Sequence, residues 1–251
     1  MPEVIFFENQ QKERLVGKLH TIKTASKDKI VILVHGFTSA KGDPLIKRIA
    51  EEVEQANLNC FCFDFSGHGN SEGSFSDITY TKEAGDLKSA MDHLGKAGYS
   101  EFGVIAHSMG ATVTFIAASV DKRIKVIVDL SGKVLTHNPS KILFTEKNLG
   151  EMRAQGWTML QTRLGPKRLN RSFLDDSERI NVLEIAKHLT LPVAIIHGDA
   201  DVLIPIEESQ QLYPILAGKK QFTTIEGADH HFTKHRDQAA RAAVEWIKRF
   251  M

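Results

Sequence analysis

The sequence predicts an α/β fold: a mostly parallel sheet, covered by helices on both faces, with a short inserted lid. Three observations carry this. Apolar runs of strand length alternate along the chain with helical patterns, the signature of strand–helix–strand units. Several runs are nearly continuous in apolar residues, as strands buried on both faces must be. Polar residues able to do chemistry stand just beyond several of these runs, at the edge where open sheets of this kind bind ligands.

The elements follow in order. Residues 3–8 and 13–20 read as two strands joined by the polar turn Glu8-Asn9-Gln10-Gln11-Lys12. Lys29-Ile30-Val31-Ile32-Leu33-Val34 reads as a central strand and runs into His35-Gly36-Phe37-Thr38-Ser39. A helix fits about 45–55, a strand 58–65, a tight loop 66–73 and a helix 79–94. Phe102-Gly103-Val104-Ile105 is a buried strand, and the small-residue run 111–118 is a helix. Ile124–Leu130, residues 192–197 and residues 221–225 are further strands. An amphipathic helix over about 236–250 closes the chain.

Residues 133–177 break the alternation. They are polar and helix-prone, with Asn138-Pro139, Gly150, Gly156 and Gly165-Pro166 as punctuation, and they carry Phe144, Trp157 and Phe173. The segment leaves after one core strand and returns before another. It reads as an insertion over the strand ends, a lid or pocket wall. Residues 1–132 and 178–251 then form the core.

Bulk properties exclude several functions. The 251 residues are 42% hydrophobic and 25% charged, ordinary for one large globular domain. Lys and Arg total 32 against 31 Asp and Glu, a net charge of +1, so no basic surplus points to nucleic acid. Cys60 and Cys62 would share one face of a strand, a poor geometry for a disulfide, and no second pair completes a zinc site. No H-E-x-x-H motif or carboxylate–histidine cluster suggests a metal. In the loop 66–73, Glu72 stands where a dinucleotide motif needs its third glycine, and no Walker lysine is present. No cofactor is therefore expected. The first residues include Glu3 and Glu8 and lack an apolar signal region, and no apolar segment is long enough to span a membrane. The expected setting is a reducing cytoplasm. The expected partner is a small-molecule ester substrate; a homodimer is left open, since the sequence does not reveal the oligomeric state.

The chemistry centres on Ala106-His107-Ser108-Met109-Gly110, between a buried strand and a helix. This nearly matches the strand–turn–helix nucleophile motif G-x-S-x-G, with Ala106 in place of the first glycine. The plainer reading is a serine capping a helix. A nucleophilic serine needs a base, and the base needs an orienting group. Gly198-Asp199-Ala200-Asp201 follows one strand, and Gly227-Ala228-Asp229-His230-His231-Phe232 follows the next. Asp201 is the preferred acid, since Asp199 is placed to cap its own turn; Asp129 is the third candidate. His230 is the preferred base, with Phe232 anchoring its loop, and His231 a neighbour at the pocket edge. The backbone amides of Met109 and Phe37 are the candidate oxyanion donors. His107, Trp157 and His231 are candidate substrate contacts.

Together these pieces resemble the α/β-hydrolase superfamily. The resemblance rests on His35-Gly36-Phe37, Asp64-Phe65-Ser66-Gly67-His68-Gly69-Asn70-Ser71, the Ser108 pentapeptide, Gly198-Asp199-Ala200-Asp201 and Gly227-Ala228-Asp229-His230, and it covers about residues 30–250. The His35-Gly36-Phe37 start, the loop after Asp64 and the Asp229-His230-His231-Phe232 segment are similar to the feruloyl (cinnamoyl) esterase-like branch. That resemblance implies a short lid over an aromatic acyl group. The expected function is a serine carboxylesterase acting on small or aromatic acyl esters through Ser108, His230 and Asp201. A thioesterase, acylglycerol lipase or aminopeptidase on the same residues is the alternative, and a non-catalytic binding protein a further one.

Overall fold

The apolar runs become strands in the computed structural model, which describes residues 2–251. The strands are β1 (Glu3–Glu8), β2 (Arg14–His20), β3 (Lys29–Val34), β4 (Cys60–Asp64), β5 (Glu101–His107), β6 (Ile124–Leu130), β7 (Trp157–Thr162), β8 (Gly165–Asn170), β9 (Val193–Gly198) and β10 (Lys220–Ile225). The helices are α1 (Pro44–Gln55), α2 (Tyr80–Lys96), α3 (Met109–Val120), α4 (Glu146–Gln155), α5 (Ser172–Arg179), α6 (Val182–Lys187), α7 (Ile206–Leu212) and α8 (Arg236–Ile247). Among the described residues one eight-stranded sheet runs β1-β2-β4-β3-β5-β6-β9-β10, with β7 and β8 forming a separate hairpin. β2 is antiparallel to β1 and β4, and the remaining pairs are parallel. This is the α/β-hydrolase architecture.

Strand β3 shows why its run carries no polar alternation. Ile30, Ile32 and Val34 enter the core beneath α2 and α3, while Val31 and Leu33 enter the core beneath α1 and α8. Successive side chains point to opposite faces, so both sets must be apolar. Each such burial is worth roughly 1.5–3 kcal/mol. Helix α1 turns Leu45, Ile46, Ile49 and Val53 inward, and starts on Asp43, whose side chain accepts from the Leu45 amide. Helix α3 is buried along most of its length, which its small residues allow. Cys60 and Cys62 lie in the same core, both free thiols, and burial pushes the Cys62 thiol up to about 11.

The register fixes where the strands end. Val34 pairs with Ala106, Ala106 with Asp129, Leu130 with Ile196, and Gly198 with Ile225. The loops after β3, β5, β9 and β10 therefore leave from one edge of the sheet.

Between β6 and β9 lie α4, the β7–β8 hairpin, α5 and α6. The segment is not mainly helical. Gly156, at φ 84°, ends α4, and the next six residues alternate, with Thr158 and Leu160 buried and Met159 exposed. That alternation belongs to a strand. The expected boundary at residue 177 falls inside α5. A buried ion pair holds the start of the segment: Lys133 Nζ donates to Glu208 of α7, whose carboxylate also accepts from the Val134 and Leu135 amides. Among the described residues no helix is long and apolar enough to cross a membrane.

Candidate active site

Ser108 sits where β5 turns into α3, at φ 56° and ψ −121°. A non-glycine residue held there is strained by about 1–3 kcal/mol, and such strain persists only where the surroundings impose it. Gly110 shows how close those surroundings are: a Cβ there would stand 2.5 Å from the His35 carbonyl oxygen. Ala106 fits in place of glycine, fully buried within the sheet. Ser108 occupies the N-cap position of α3, yet its side chain makes no capping hydrogen bond. The hydroxyl instead donates to His230 Nε2 at 2.9 Å.

His230 Nδ1–H donates to Asp201 Oδ2 at 2.7 Å. This assigns the tautomer, leaving Nε2 free to accept. The loop that carries His230 is tied down on three sides. Phe232 is fully buried, Asp229 Oδ1 accepts from the His231 and Thr233 amides, and His107 Nε2–H donates to the His230 carbonyl at 2.8 Å. His107 thus lines the cleft and also holds the His230 backbone.

Of the three candidate carboxylates, Asp201 is the one hydrogen-bonded to His230. Its Oδ1 accepts from the Leu203 and Ile204 amides, both at 2.9 Å. Its Oδ2 lies 3.3 Å from His197 Nε2, which itself donates to the Ile204 carbonyl. Burial alone would raise this carboxyl; the hydrogen bonds from His197 and His230, the nearby imidazole charge and the Ile204 amide outweigh it and hold the group well below the usual carboxylate range. Asp199 does not cap its own turn. Its Oδ1 accepts from the Gly227 amide at 2.6 Å, so it ties the loop after β9 to the loop after β10.

Asp129 makes no contact with His230. It is fully buried at the end of β6, with neither carboxylate oxygen in a hydrogen bond of good geometry. Burial pushes it up to about 7, against the pull of His197 and the Gly132 amide. The folded protein therefore holds a proton that the unfolded chain releases above about pH 4. Stability conferred by that proton falls as pH rises from about 4 to 7. Asp129→Asn carries no such proton, so its stability relative to the parent should improve across that interval, by at most about 4 kcal/mol. Urea unfolding of both proteins at pH 4.5 and 7.5 measures this; a difference independent of pH would contradict it.

Phe37, in the loop after β3, and Met109, at the start of α3, line one cavity with Ser108. Neither the Phe37 nor the Met109 N–H has a partner among the described residues. His35 sets the first. Its Nδ1–H donates to the Gly36 carbonyl at 2.9 Å while its Nε2 accepts from the Phe65 amide. In a trans peptide, fixing the Gly36 C=O fixes the Phe37 N–H on the opposite side. The loop is pinned further by Lys41, whose amide and ammonium both donate to the buried carboxylate of Asp64.

Two cavities open beside Ser108. One of about 260 Å³ is lined by His230, His231, His107, Gln161, Thr162 and Arg163, together with residues of the 36–39 loop. The other, of about 40 Å³, is lined by Met109, Phe37, Tyr80, Phe144 and Phe173, with Lys133 at its wall. The aromatic rings there pack on one another, Phe144 on Phe173 at 5.8 Å and Tyr80 on Phe173 at 5.2 Å. Burial, with the nearby His230 and Arg163 adding to it, pushes His231 down to about 4, so its ring is neutral at pH 7.

Trp157 is not in either cavity. It stands at the far end of β7, five residues from Thr162 and so about 16 Å away. It lines a separate hollow, under the Arg168 guanidinium at 4.7 Å. The hairpin instead presents Leu160, Gln161, Thr162 and Arg163 to the cleft. Sequence reasoning singled out none of these four. A strand register for the hairpin, starting from Gly165 in its turn, could have placed its tip at the sheet edge.

The profile of the serine aminopeptidase S33 family matches residues 25–182, which include Ser108, Phe37 and Met109. The Bacillus subtilis (strain 168) protein named "Putative esterase YitV" is 23% identical over 254 residues, covering 93% of this chain and 94% of that one. Mouse (Mus musculus) mitochondrial palmitoyl-protein thioesterase ABHD10 is 26% identical over 191 residues, covering 72% of this chain but only 62% of its own length. The structure of Est1E from Butyrivibrio proteoclasticus with ferulic acid bound superposes with a TM-score of 0.85 at 22% identity, covering 98% of each chain. With the α/β-hydrolase sheet and its strand-end loops in place, the chain belongs to the serine aminopeptidase S33 family of α/β-hydrolases.

Proposed function

We propose that the protein is a serine esterase that works through an acyl-enzyme on Ser108. The carrying observation is the relay from Ser108 Oγ to His230 Nε2 and from His230 Nδ1 to Asp201 Oδ2, set on a strained turn beside two free amides. In acylation Ser108 Oγ attacks the acyl carbon as its proton passes to His230 Nε2. Asp201 holds the imidazolium that forms. The Phe37 and Met109 amides receive the negative charge on the former carbonyl oxygen. When the intermediate collapses, the bond to the leaving oxygen breaks and that oxygen takes the proton from His230. Water repeats the sequence, releasing the acid and restoring Ser108.

The leaving oxygen must lie within reach of His230, so the acyl group points away from it, into the cavity walled by Met109, Phe37 and Phe144. A dry cavity of about 150 Å³ is what takes a benzene ring. At about 40 Å³ this one suits an acyl group of a few carbons. The second reading, a feruloyl or cinnamoyl acyl group, is favoured by the aromatic walls and needs Leu143 and Phe144 to withdraw. In both readings residues 133–177 act as the lid.

An aminopeptidase must hold a substrate ammonium, and among the described residues no carboxylate lines either cavity. A thioester differs from an ester only in its leaving atom and remains on the same pathway. The two unpaired cysteines are the basis for assigning the protein to a reducing cytoplasm.

A panel of p-nitrophenyl esters tests the reading. Acetyl and butyryl esters are expected to exceed the octanoyl ester in kcat/KM by at least about tenfold, since each misfit methylene costs roughly 1–3 kcal/mol. Methyl ferulate turned over faster than the short esters would establish the second reading, and an alanyl anilide as the best substrate would overturn both.

A further inference from the structure

The larger cavity carries an inference that rests on the esterase reading and narrows it. We propose that this cleft receives the leaving group, and that Arg163 selects alcohols bearing an anionic group. The first half follows from proton transfer: the cleft is lined by His230, and the leaving oxygen must take its proton there. At about 260 Å³ it is also the larger compartment. The substrate then has a short acyl group on a larger polar alcohol.

The second half follows from charge. Arg163 lies in the turn of the β7–β8 hairpin and reaches the cleft with a side chain 56% exposed. None of its N–H donors makes a hydrogen bond among the described residues. The one carboxylate beside it is Asp43, 3.8 Å away and already engaged by the Leu45 amide and the Ser39 hydroxyl. No Asp or Glu lines the cleft among the described residues. The smaller cavity also has a cation at its wall, but Lys133 is bound to Glu208. Arg163 is therefore a guanidinium fork with open donors, held over the side from which the alcohol departs. Such a fork matches a carboxylate or a phosphate in two-point contact. Gln161, Thr38 and the neutral His231 ring supply further polar contacts around it. A hairpin turn is also a tolerant place for substitution, because the Arg163 side chain packs into no core.

Three acetyl esters with matched phenolic leaving groups test this: 3-acetoxybenzoate, 3-acetoxybenzamide and 3-acetoxyphenyl phosphate. The parent protein should favour at least one anionic ester over the neutral amide by about fivefold to tenfold in kcat/KM at low salt. The ratio between the two anions identifies which is preferred. The preference should shrink at 0.5 M salt, because an exposed pair is screened. Arg163→Gln should bring the ratio to about one, and Arg163→Glu should invert it. Equal kcat/KM for all three esters in the parent overturns the anion subsite alone. So does a preference that survives in Arg163→Glu. Absence of hydrolysis of all three overturns the esterase reading, and the subsite with it.

Discussion

Ser108→Ala is expected to abolish turnover of the short-chain esters, lowering kcat by about 10^5- to 10^6-fold while the protein stays folded. The size follows from what the hydroxyl does. Without Oγ no acyl-enzyme forms, and His230 and Asp201 have no nucleophile to serve. The two amides still polarise a bound carbonyl, so a residue of catalysis over water survives. The fold should tolerate the change, because the strain at φ 56° is already present and alanine feels it as serine does. Ser108→Gly is the useful companion. Glycine adopts that φ without strain, so this variant should be as inactive and should unfold at a slightly higher temperature, by up to about 1 kcal/mol of stability. A fluorophosphonate probe should label the parent at Ser108 and neither variant. Ester hydrolysis persisting in well-folded Ser108→Ala would remove Ser108 from the mechanism and leave the site a binding pocket.

The parts of this arrangement that were legible in the sequence share a physical cause. Strand β3 was readable because burial on both faces leaves no room for polar residues from Ile30 to Val34. Ser108, Asp201 and His230 were readable because each stands within five residues of the end of a strand, and strand ends of one parallel sheet converge. The illegible parts depend on partners distant in the chain. Glu208 sits in a short polar helix and reads as surface; only the fold brings it onto Lys133, 75 residues away. Asp199 looked like the cap of its own turn because its partner, the Gly227 amide, lies in another loop. The β7–β8 hairpin was hidden by composition, since the polar Thr158 on its buried face and the apolar Met159 on its exposed face masked the alternation. Trp157 is an aromatic in the insert, but its distance along β7 from the hairpin tip removes it from the cleft, and Arg163 stands there instead.

Asp201→Asn separates the three candidate acids and should lower kcat by about 10^4-fold. The mechanism is a change of tautomer. Oδ1 of Asp201 accepts from two amides, which remain donors in the variant, so the asparagine carbonyl must take that place. Its amide NH2 then faces His230 Nδ1 and donates to it. The imidazole proton moves to Nε2, where it points at Ser108 and blocks acceptance of the hydroxyl proton. His197 meets the same NH2 from the other side, 3.3 Å away, so the variant also loses a charge-assisted contact there. The stability cost should be about 1–3 kcal/mol at pH 7. Its pH dependence has a definite sign. The folded Asp201 carboxyl is held below its unfolded value, so its contribution is present above about pH 4 and is lost as pH falls through the folded pKa. Parent and variant should therefore converge in melting temperature as the solution is acidified below pH 4. Asp129→Asn and Asp199→Asn are the controls: neither side chain touches His230, and both should keep kcat within about tenfold of the parent. If instead Asp129→Asn lost activity and Asp201→Asn kept it, the acid would lie on β6 and the 2.7 Å contact between Asp201 and His230 would be structural alone.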